Sequence, residues 1–422
     1  MVVLILLLII ELYLLNRILK YFLLSPIYLY VIFSLFSIII TIAYFYFYDD
    51  KFSLFNLDDV SQIVFLKTIK IYIIALISFI GGVLLYYDFS KKYLKKVFNK
   101  SYTDSLFFKY IVPLKTLIIA RVLFLLIIIL FIITYGSSIF IRSDYLPETN
   151  RGLTVLIKIL SFIEIILLGI IFKGHKHKSL FYFILLLLIS IGTGSRSAFL
   201  LYFVYITILF ISSGNTLKNK ISFSLNIFLS LVFLAYLMQL RMLNTHGVIP
   251  YIKSIVTSNE DFSETFFFNI YYSLVYGVFV TIKTIEEAQK DWNIIFISLN
   301  PFPGSMVGWY NYADDMRINL FAPYSLHGRV FKMGIGFTII YFFVTGLIFS
   351  FMEKKIRYFL NEGKRVVAFI ITLLLILHII YGFEYNLRSA FRYIYYAFFI
   401  IFIVYLFKYI RPYLLKKKST ID

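Results

Sequence analysis

The sequence predicts an all-α polytopic membrane protein, and its composition carries most of that prediction. Hydrophobic residues make up 61% of the 422-residue chain and charged residues only 15%, and the mean hydropathy is +0.88. This balance is typical of chains with repeated membrane-spanning segments rather than of a soluble domain. Because each span needs about 20 apolar residues, the chain has room for about eleven transmembrane helices and one large loop.

Apolar runs locate these helices, since irregular backbone is not stable against lipid. The runs lie at residues 2–19, 27–48, 69–87, 111–135, 153–172, 179–192, 197–213, 222–240, 329–351, 366–383 and 391–409. We therefore expect helices 1–8 within residues 1–240, a large loop at 241–328, and helices 9–11 with a basic tail at 329–422. The first run lacks the basic start and small-residue cleavage site of a signal peptide, so we expect a retained helix.

The positive charge of the chain predicts its orientation. The formal net charge is +19, and much of the excess lies in short loops such as 91–100 and 354–365 and in the tail at 416–418. Loops rich in lysine and arginine stay in the cytoplasm, so the amino terminus is expected outside, the large loop outside and the tail inside. This bias explains the charge without a nucleic-acid partner. Cysteine is absent, which excludes disulfides and thiolate metal sites, and we predict neither a metal nor a cofactor.

A break is predicted within residues 179–213. A continuous helix of about 35 residues would be roughly 52 Å long, far more than the roughly 30 Å of hydrocarbon that it must cross. Gly192 and Gly194 are where a helix ends at least cost, which favours two helices with a turn at 194–198. The alternative is one span at 179–213 and another at 265–283. Asn269 and the neighbouring tyrosines favour a re-entrant or interfacial helix at 265–283 instead.

Arginines at helix ends beside the large loop are the main candidates for a binding site. Positive-inside bias should deplete the outer face of arginine, so their presence there needs a reason. The planar guanidinium binds phosphate oxygens in pairs and stays charged, which favours a membrane-embedded substrate with phosphate groups. The alternative is that each arginine pairs with a carboxylate or extends to the headgroups. The candidates are Arg196, Arg241, Arg317, Arg329, Arg388 and Arg392, with Ser195 as a substrate contact or helix cap.

His327 is the candidate general base, because it immediately precedes the run 329–351 at the predicted outer edge of the membrane. An imidazole with a pKa of about 6.5 can accept a proton from a sugar hydroxyl. The alternative is an interfacial histidine without a catalytic role, and His246 is a weaker candidate. Carboxylates of the large loop can also act as bases, or can simply be first-turn charges of a helix. They are Glu260, Asp261, Glu264, Asp314 and Asp315.

The chain resembles the Wzy-type polymerases, the bacterial family that polymerises O-antigen and capsule repeat units. The resemblance rests on the many-span layout, on the turn Gly194-Ser195-Arg196-Ser197-Ala198 between two apolar helices, and on one large outer loop late in the chain. His327 before a helix with Gly334 and Gly336 is also similar to the histidine and glycine-rich helix of the related O-antigen ligases.

The resemblance implies a fold of the GT-C-like type and a metal-independent glycosyl transfer. A growing glycan would pass from undecaprenyl diphosphate to a lipid-linked oligosaccharide repeat unit, at the extracytoplasmic face of the cytoplasmic (inner) membrane. His327 would be catalytic, and Arg196, Arg241, Arg329, Arg317 and Ser195 would bind substrate. The partners implied are the undecaprenyl-diphosphate-linked oligosaccharide, the lipid bilayer and a chain-length regulator protein.

Three other functions remain open from the sequence. A lipid-linked oligosaccharide flippase or another transporter would line a central cavity with charge through the depth of the membrane, whereas these spans are nearly bare apart from Glu11, Glu164 and residues near their ends. An O-antigen ligase-like transferase differs from a polymerase only in its acceptor. A membrane scaffold would need no chemistry.

Overall fold

The computed structural model is all-helical over the residues that it describes. Those residues are 2–19, 25–48, 60–89, 114–144, 147, 149–194, 197–213, 216–240, 243–257, 267–268, 270–313, 316–318 and 322–418. The helices in chain order are α1 Val2–Ile18, α2 Pro26–Phe47, α3 Gln62–Phe89, α4 Leu114–Tyr135, α5 Arg151–Ile171, α6 Lys176–Gly192, α7 Ser197–Ser213, α8 Leu217–Gln239, α9 Val248–Thr257, α10 Tyr276–Glu287, α11 Trp292–Leu299, α12 Leu326–Lys332, α13 Ile335–Asn361, α14 Arg365–Glu384 and α15 Leu387–Lys418.

The protein is a multi-pass membrane protein. Within the described residues, seven helical stretches are long and apolar enough to cross a membrane: Pro26–Phe47, Gln62–Phe89, Lys115–Ile139, Gly152–Ile171, Ile335–Asn361, Arg365–Phe383 and Leu387–Phe407. Helices α1, α6 and α7 have 17 residues each, slightly short of the roughly 20 that cross the hydrocarbon without tilt or thinning. The total of eleven spans therefore stays a prediction.

The chain divides into two compact units. One unit contains Met1–Ser105 and Tyr271–Asp422, and the other contains Leu106–Ile270. We call them the terminal unit and the central unit. The terminal unit thus joins helices α1–α3 to helices α10–α15, which come from the opposite end of the chain.

Helices α3 and α13 pack closely together in the terminal unit, and they approach each other at two glycines. A β-carbon added at Gly82 would lie 2.1 Å from the carbonyl oxygen of Phe343, and one added at Gly346 would lie 2.1 Å from the carbonyl oxygen of Phe79. Small residues at both sides of a crossing let two helix backbones touch, which is the usual way in which helices pack within a membrane. The contact gives α3 and α13 a fixed register.

The predicted helix at 329–351 is wrong in both its start and its end. The structure has a short helix, α12, that ends at Lys332, and a new helix, α13, that begins at Ile335 and continues to Asn361. Gly334 lies between them with φ +111°, a conformation that residues with a β-carbon rarely adopt. Hydropathy does not register this break because both helices are apolar.

The segment 265–283 is helical where the structure describes it. A π-helical turn at Tyr271–Val275 leads into α10, and residues 276–282 are all buried. In the terminal unit, α10 packs against α2, α3, α12 and α14. The first two turns of α10 carry no charged residue, and such an apolar stretch is expected inside a bundle. Whether it is re-entrant or spans the membrane stays a prediction.

In the central unit, α5 packs between α4 and α7. A β-carbon added at Gly169 of α5 would lie 2.7 Å from Ile208 of α7, so these two helices also meet at a glycine. Helix α6 ends at Gly192, and Gly194 follows with φ +72°. The break predicted at these glycines is therefore present, and it separates α6 from α7.

Candidate functional site

Arg142 forms a hydrogen bond to the end of α6, at the turn between α6 and α7. The sequence analysis did not select this arginine. Arg142 donates from Nη1 to the carbonyl oxygens of Ser138, at 2.9 Å, and Gly192, at 2.5 Å. The second bond satisfies a carbonyl at the carboxyl end of α6, where a positive charge is also favoured by the helix dipole. The backbone of Arg142 pairs with that of His246, each donating its N–H to the other's carbonyl at 2.8 Å. That pairing holds the guanidinium at the turn.

A small cavity with a mostly apolar lining and a few polar groups adjoins this turn. Its volume is about 20 Å³, and it is lined by Phe131, Tyr135, Ile157, Lys158, Ser161, Ser190, Thr193 and Leu201. Such a volume holds about one water molecule, or an atom of similar size such as a phosphoryl oxygen. The Ser161 hydroxyl is buried without a hydrogen-bond partner in the described part of the chain. The cavity therefore presents a cation and hydroxyl groups within an apolar helix bundle.

Lys158 is the charged residue of this cavity. It lies within the apolar stretch Gly152–Ile171, and it is exposed at the surface of the helix bundle. The sequence interpretation did not select it, because a single lysine in an apolar run gives no motif. Ser161 follows one helical turn later, and Glu164 one further turn later, so a polar stripe continues along α5. Glu164 is fully buried, and both of its carboxyl oxygens have no hydrogen-bond partner among the described residues.

Three of the predicted substrate-binding residues are close in sequence to helix ends of the central unit: two follow Gly194, and one follows α8. Ser195, Arg196 and Arg241 lie outside the described residues, so their roles stay predictions. His246 is described: it is buried, and its Nδ1 lies 3.1 Å from the Tyr251 hydroxyl. Burial, with the neighbouring Arg142 charge, lowers the pKa of His246.

In the terminal unit, α12 begins in a chain of buried hydroxyl groups. The Thr281 hydroxyl donates to the Gly277 carbonyl oxygen at 2.9 Å, so it accepts from the hydroxyls of Tyr72, at 2.8 Å, and Ser325, at 2.9 Å. Ser325 is the amino-terminal cap of α12, and its hydroxyl accepts from the backbone N–H of Gly328 at 2.9 Å. A buried polar network in which each member is satisfied fixes one geometry, so α12 is held firmly against α3 and α10.

His327 lies on α12 and is enclosed by the bundle. Its Nδ1 lies 2.7 Å from the carbonyl oxygen of Gly382. Since a carbonyl only accepts, Nδ1 carries the proton and Nε2 carries the lone pair. The rings of Tyr72, Phe342 and Phe383 lie 5.2, 5.3 and 4.5 Å from the imidazole. Burial lowers the pKa of His327 to about 3, so the ring is neutral at physiological pH.

The basic residues of α12 satisfy backbone carbonyls at the end of α10. Arg329 donates from Nη1 to the Gln289 carbonyl oxygen at 3.0 Å, and its guanidinium lies 4.7 Å from the centre of the Tyr324 ring. Lys332 donates to the Ile285 carbonyl oxygen at 2.7 Å. Burial lowers the pKa of Arg329, although a guanidinium stays protonated at any workable pH. These contacts favour the alternative in which Arg329 supports the fold.

Arg388 has a similar structural role, and Arg317 lies at the surface. Arg388 is buried at the start of α15, and it donates to the carbonyl oxygens of Ile297, Asn300 and Phe302 at and beyond the end of α11. Arg317 is exposed, and its backbone pairs with Pro323. The structure thus brings Arg329 and His327 onto one short helix but places Arg317 apart from the enclosed ring of His327.

Comparison of the chain with protein-family models, with curated protein sequences and with solved structures finds no match. Among the described residues, no group of three or more His, Cys, Asp or Glu side chains comes together as a metal site. The fold defines the class of protein as a multi-pass all-helical membrane protein.

Proposed function

We propose that the protein is a membrane-embedded glycan polymerase. It transfers a growing glycan from a polyprenyl diphosphate, such as undecaprenyl diphosphate, to a hydroxyl of a lipid-linked oligosaccharide repeat unit. The reaction takes place at the extracytoplasmic face of the cytoplasmic membrane, and both substrates remain anchored in the bilayer by their lipid chains.

The observation that supports this proposal is the lysine and the hydroxyl groups that line the small cavity beside the helix break of the central unit. Charged residues within a span are costly, and they mark the path of a polar substrate far more often than they serve the fold alone. Lys158 and Arg142 bring two cations to the region of one turn, and that turn continues into Arg196. A cluster of cations at the edge of the hydrocarbon suits the diphosphate of a lipid-linked sugar.

In this reaction, the bond between the anomeric carbon and the diphosphate oxygen breaks, and the diphosphate departs with the electron pair. The acceptor oxygen bonds to the anomeric carbon, and the hydroxyl proton passes to a base. Arg196 and Lys158 stabilise the charge that develops on the departing diphosphate. Loss of one such preorganised donor typically costs about 2.7–4 kcal/mol of transition-state stabilisation.

The base in this reaction is a residue other than His327. A base must come within about 3 Å of the proton that it accepts, whereas His327 is surrounded by aromatic rings and has a pKa of about 3. We therefore assign the proton to a carboxylate of the loop. The candidates are Glu260, Asp261, Glu264, Asp314 and Asp315, which lie outside the described residues.

The proposal is tested by electrophoresis of the surface glycan from a strain that lacks this protein, with and without complementation. A polymerase predicts that the glycan of the deletion strain collapses to a single repeat unit while export and attachment continue. Complementation by Arg196→Lys or Lys158→Met should give shorter polymer at equal protein level. Lys176→Gln, which removes an exposed lysine from the first turn of α6, is the matched control and should restore full length. Full-length glycan in the deletion strain would contradict the proposal.

A transporter of lipid-linked glycans is the second candidate, and Glu164 is the observation that favours it. A fully buried carboxyl group within a span, without a hydrogen-bond partner in the part of the chain that the structure describes, is the kind of group that carries protons in transporters. The same deletion strain separates the two functions. A transporter predicts that no repeat unit reaches the outer face and that lipid-linked units accumulate inside the cell.

A further inference from the structure

The segment from Trp292 to Tyr310, which consists of α11 and the turn after it, has an unusual surface. Its exposed large side chains are apolar or aromatic: Trp292, Phe296, Phe302, Met306 and Tyr310. Phe296 is 68% exposed and Met306 is 75% exposed. Residues 292–313 include no Lys, Arg, Asp, Glu or His, and they contain both tryptophans of the protein. A water-facing loop of this length would be expected to carry charge.

Hydrogen bonds from two residues of α15 place this segment beside that helix. The hydroxyl of Tyr395 donates to the carbonyl oxygen of Leu299, and Arg388 donates to the carbonyl oxygens of Ile297 and Asn300. Tyr395 is about 12 Å along α15 from its first residue, at 1.5 Å per residue. Its side chain extends back toward the amino end of α15. The end of α11 therefore lies alongside the first turns of α15, not beyond them.

Contacts with α13 also place α11 beside a membrane-spanning helix. Trp292 contacts Phe337, with ring centres 5.1 Å apart, and Phe337 is in the first turn of α13. Next to it, Ile339 and Ile340 are exposed on a helix that is long and apolar enough to span a membrane, so we expect their surface to face lipid. The exposed rings of α11 thus continue the lipid-facing surface of α13. The charges at either border, Lys290 and Asp291 before the segment and Asp314 and Asp315 after it, lie outside this surface in sequence.

From these observations we infer that the segment Trp292–Tyr310 is embedded in the lipid of one membrane leaflet, at the level of the headgroups and the first acyl carbons. Trp and Tyr are enriched at that level because each has an apolar ring and a polar group. The placement also explains the bonds from Arg388 and Tyr395. Carbonyls at a helix end have less access to water at the border of the hydrocarbon than in bulk solvent, and here donors from the protein satisfy them. The segment anchors the predicted large loop to the bilayer.

The protein's own tryptophans test this inference. Trp309→Phe leaves Trp292 as the sole tryptophan, and the variant is reconstituted in phosphatidylcholine vesicles. Lipid brominated near the headgroup should quench Trp292 fluorescence strongly, and aqueous iodide should quench it weakly. The inference is overturned if iodide quenches and brominated lipid does not, which would mean a water-facing segment. It is also overturned if neither quenches, which would mean that protein covers the segment.

A second measurement avoids the tryptophans. The protein has no native cysteine, so a cysteine at Phe296 or Met306 carries a nitroxide label without background. Molecular oxygen, which concentrates in lipid, should relax these labels more than an aqueous nickel chelate does. A label at Lys290, which is exposed and precedes α11, is the matched control and should show the reverse order. The same order at all three positions would contradict the inference, independently of any glycan assay.

Discussion

The imidazole of His327 is held by one hydrogen bond and by stacked rings, so its orientation is set by the fold. Its bond to Gly382 joins α12 to the last turn of α14, and Leu326 adds a backbone bond from its N–H to the Tyr385 carbonyl oxygen at 2.9 Å. A neutral ring satisfies this arrangement, whereas a protonated ring would place an unpaired charge among aromatic side chains. The residue is thus a source of pH-dependent stability.

We expect the protein to lose stability in acid through His327. The pKa is about 3 in the folded protein and about 6.5 in an unfolded chain. Between these values the unfolded state binds a proton that the folded state does not, so stability is complete above about pH 6.5 and falls as the pH decreases toward 3. The slope for one group approaches about 1.36 kcal/mol per pH unit.

The measurement is thermal unfolding in nanodiscs at several values between pH 7.5 and pH 4.5, for the wild type and His327→Gln. Glutamine keeps an N–H donor for Gly382 but does not titrate, so its melting temperature should depend less on pH. Equal slopes for the two proteins would show that His327 is not the titrating group.

A buried ion pair joins Glu353 to Arg357, and the hydroxyl of Ser25 donates a hydrogen bond to the same carboxylate. The Ser25 hydroxyl donates to Glu353 Oε2 at 2.6 Å, and Arg357 donates to Glu353 Oε1 from Nη2 at 2.6 Å and from Nε at 3.0 Å. All three residues are fully buried. Removal of one partner from such a pair leaves an uncompensated buried charge, which commonly costs about 3–5 kcal/mol. The set joins the amino end of α2 to α13.

At the scale of helices, the close crossing of α3 and α13 predicts a steric effect. Gly346→Ala would place a β-carbon 2.1 Å from the Phe79 carbonyl oxygen, so the helices must separate, at a cost of about 1–3 kcal/mol. Gly336→Ala on the same helix is the matched control, because no atom lies within 4 Å of the added carbon. Thermal unfolding of the two variants should show a loss for Gly346→Ala only. A melting temperature unchanged in Gly346→Ala would be evidence against this crossing.

The attachment of α11 to α15 predicts a local effect of Arg388. Arg388→Met removes the donor for three carbonyl oxygens, and bonds to a charged donor contribute about 1.5–3 kcal/mol each. We expect faster hydrogen–deuterium exchange in peptides that cover residues 292–312. Arg392→Met, one turn further along α15, is the control and should leave exchange unchanged. If the two variants behave alike, Arg388 is not what secures α11.

Several helices could be predicted from hydropathy alone, because burial in lipid depends on the local run of apolar residues. The runs 27–48 and 366–383 agree closely with α2 and α14. The break at Gly334 could not be predicted this way, since it depends on backbone conformation rather than polarity. The contacts of Arg388 could not be predicted from hydropathy either, because Asn300 and Ile297 lie 88 and 91 residues away in sequence.

The candidate site was predictable in part, for a related reason. The glycine break at Gly192 follows from helix length and composition. Arg142 and Lys158 were not selected, because their importance comes from neighbours in other helices: the Gly192 carbonyl for Arg142, and Ser190 and Thr193 for Lys158. Contacts between residues of different helices leave no recognisable pattern in a single sequence.

At the scale of the whole molecule, the orientation of the loop 241–328 is the prediction on which the others depend. A single cysteine at Asn259 should react with a membrane-impermeant thiol reagent in intact cells, because the loop is predicted to be extracytoplasmic. Labelling only after permeabilisation would place the loop inside and reverse the assignment of the outward arginines. A cysteine in the tail at Lys416 serves as the control that should react only in permeabilised cells.

The terminal unit is assembled from the two ends of the chain, and this has a consequence for synthesis of the protein. Gly82 of α3 packs against Phe343 and Leu347 of α13, a helix that leaves the ribosome long after α3. At a synthesis rate of about 5–20 residues per second, α3 waits for its partner on the order of tens of seconds. During that interval the glycine surface of α3 is open to lipid or to insertion factors. We therefore expect α3 to be accessible to quality-control factors until α13 has been synthesised.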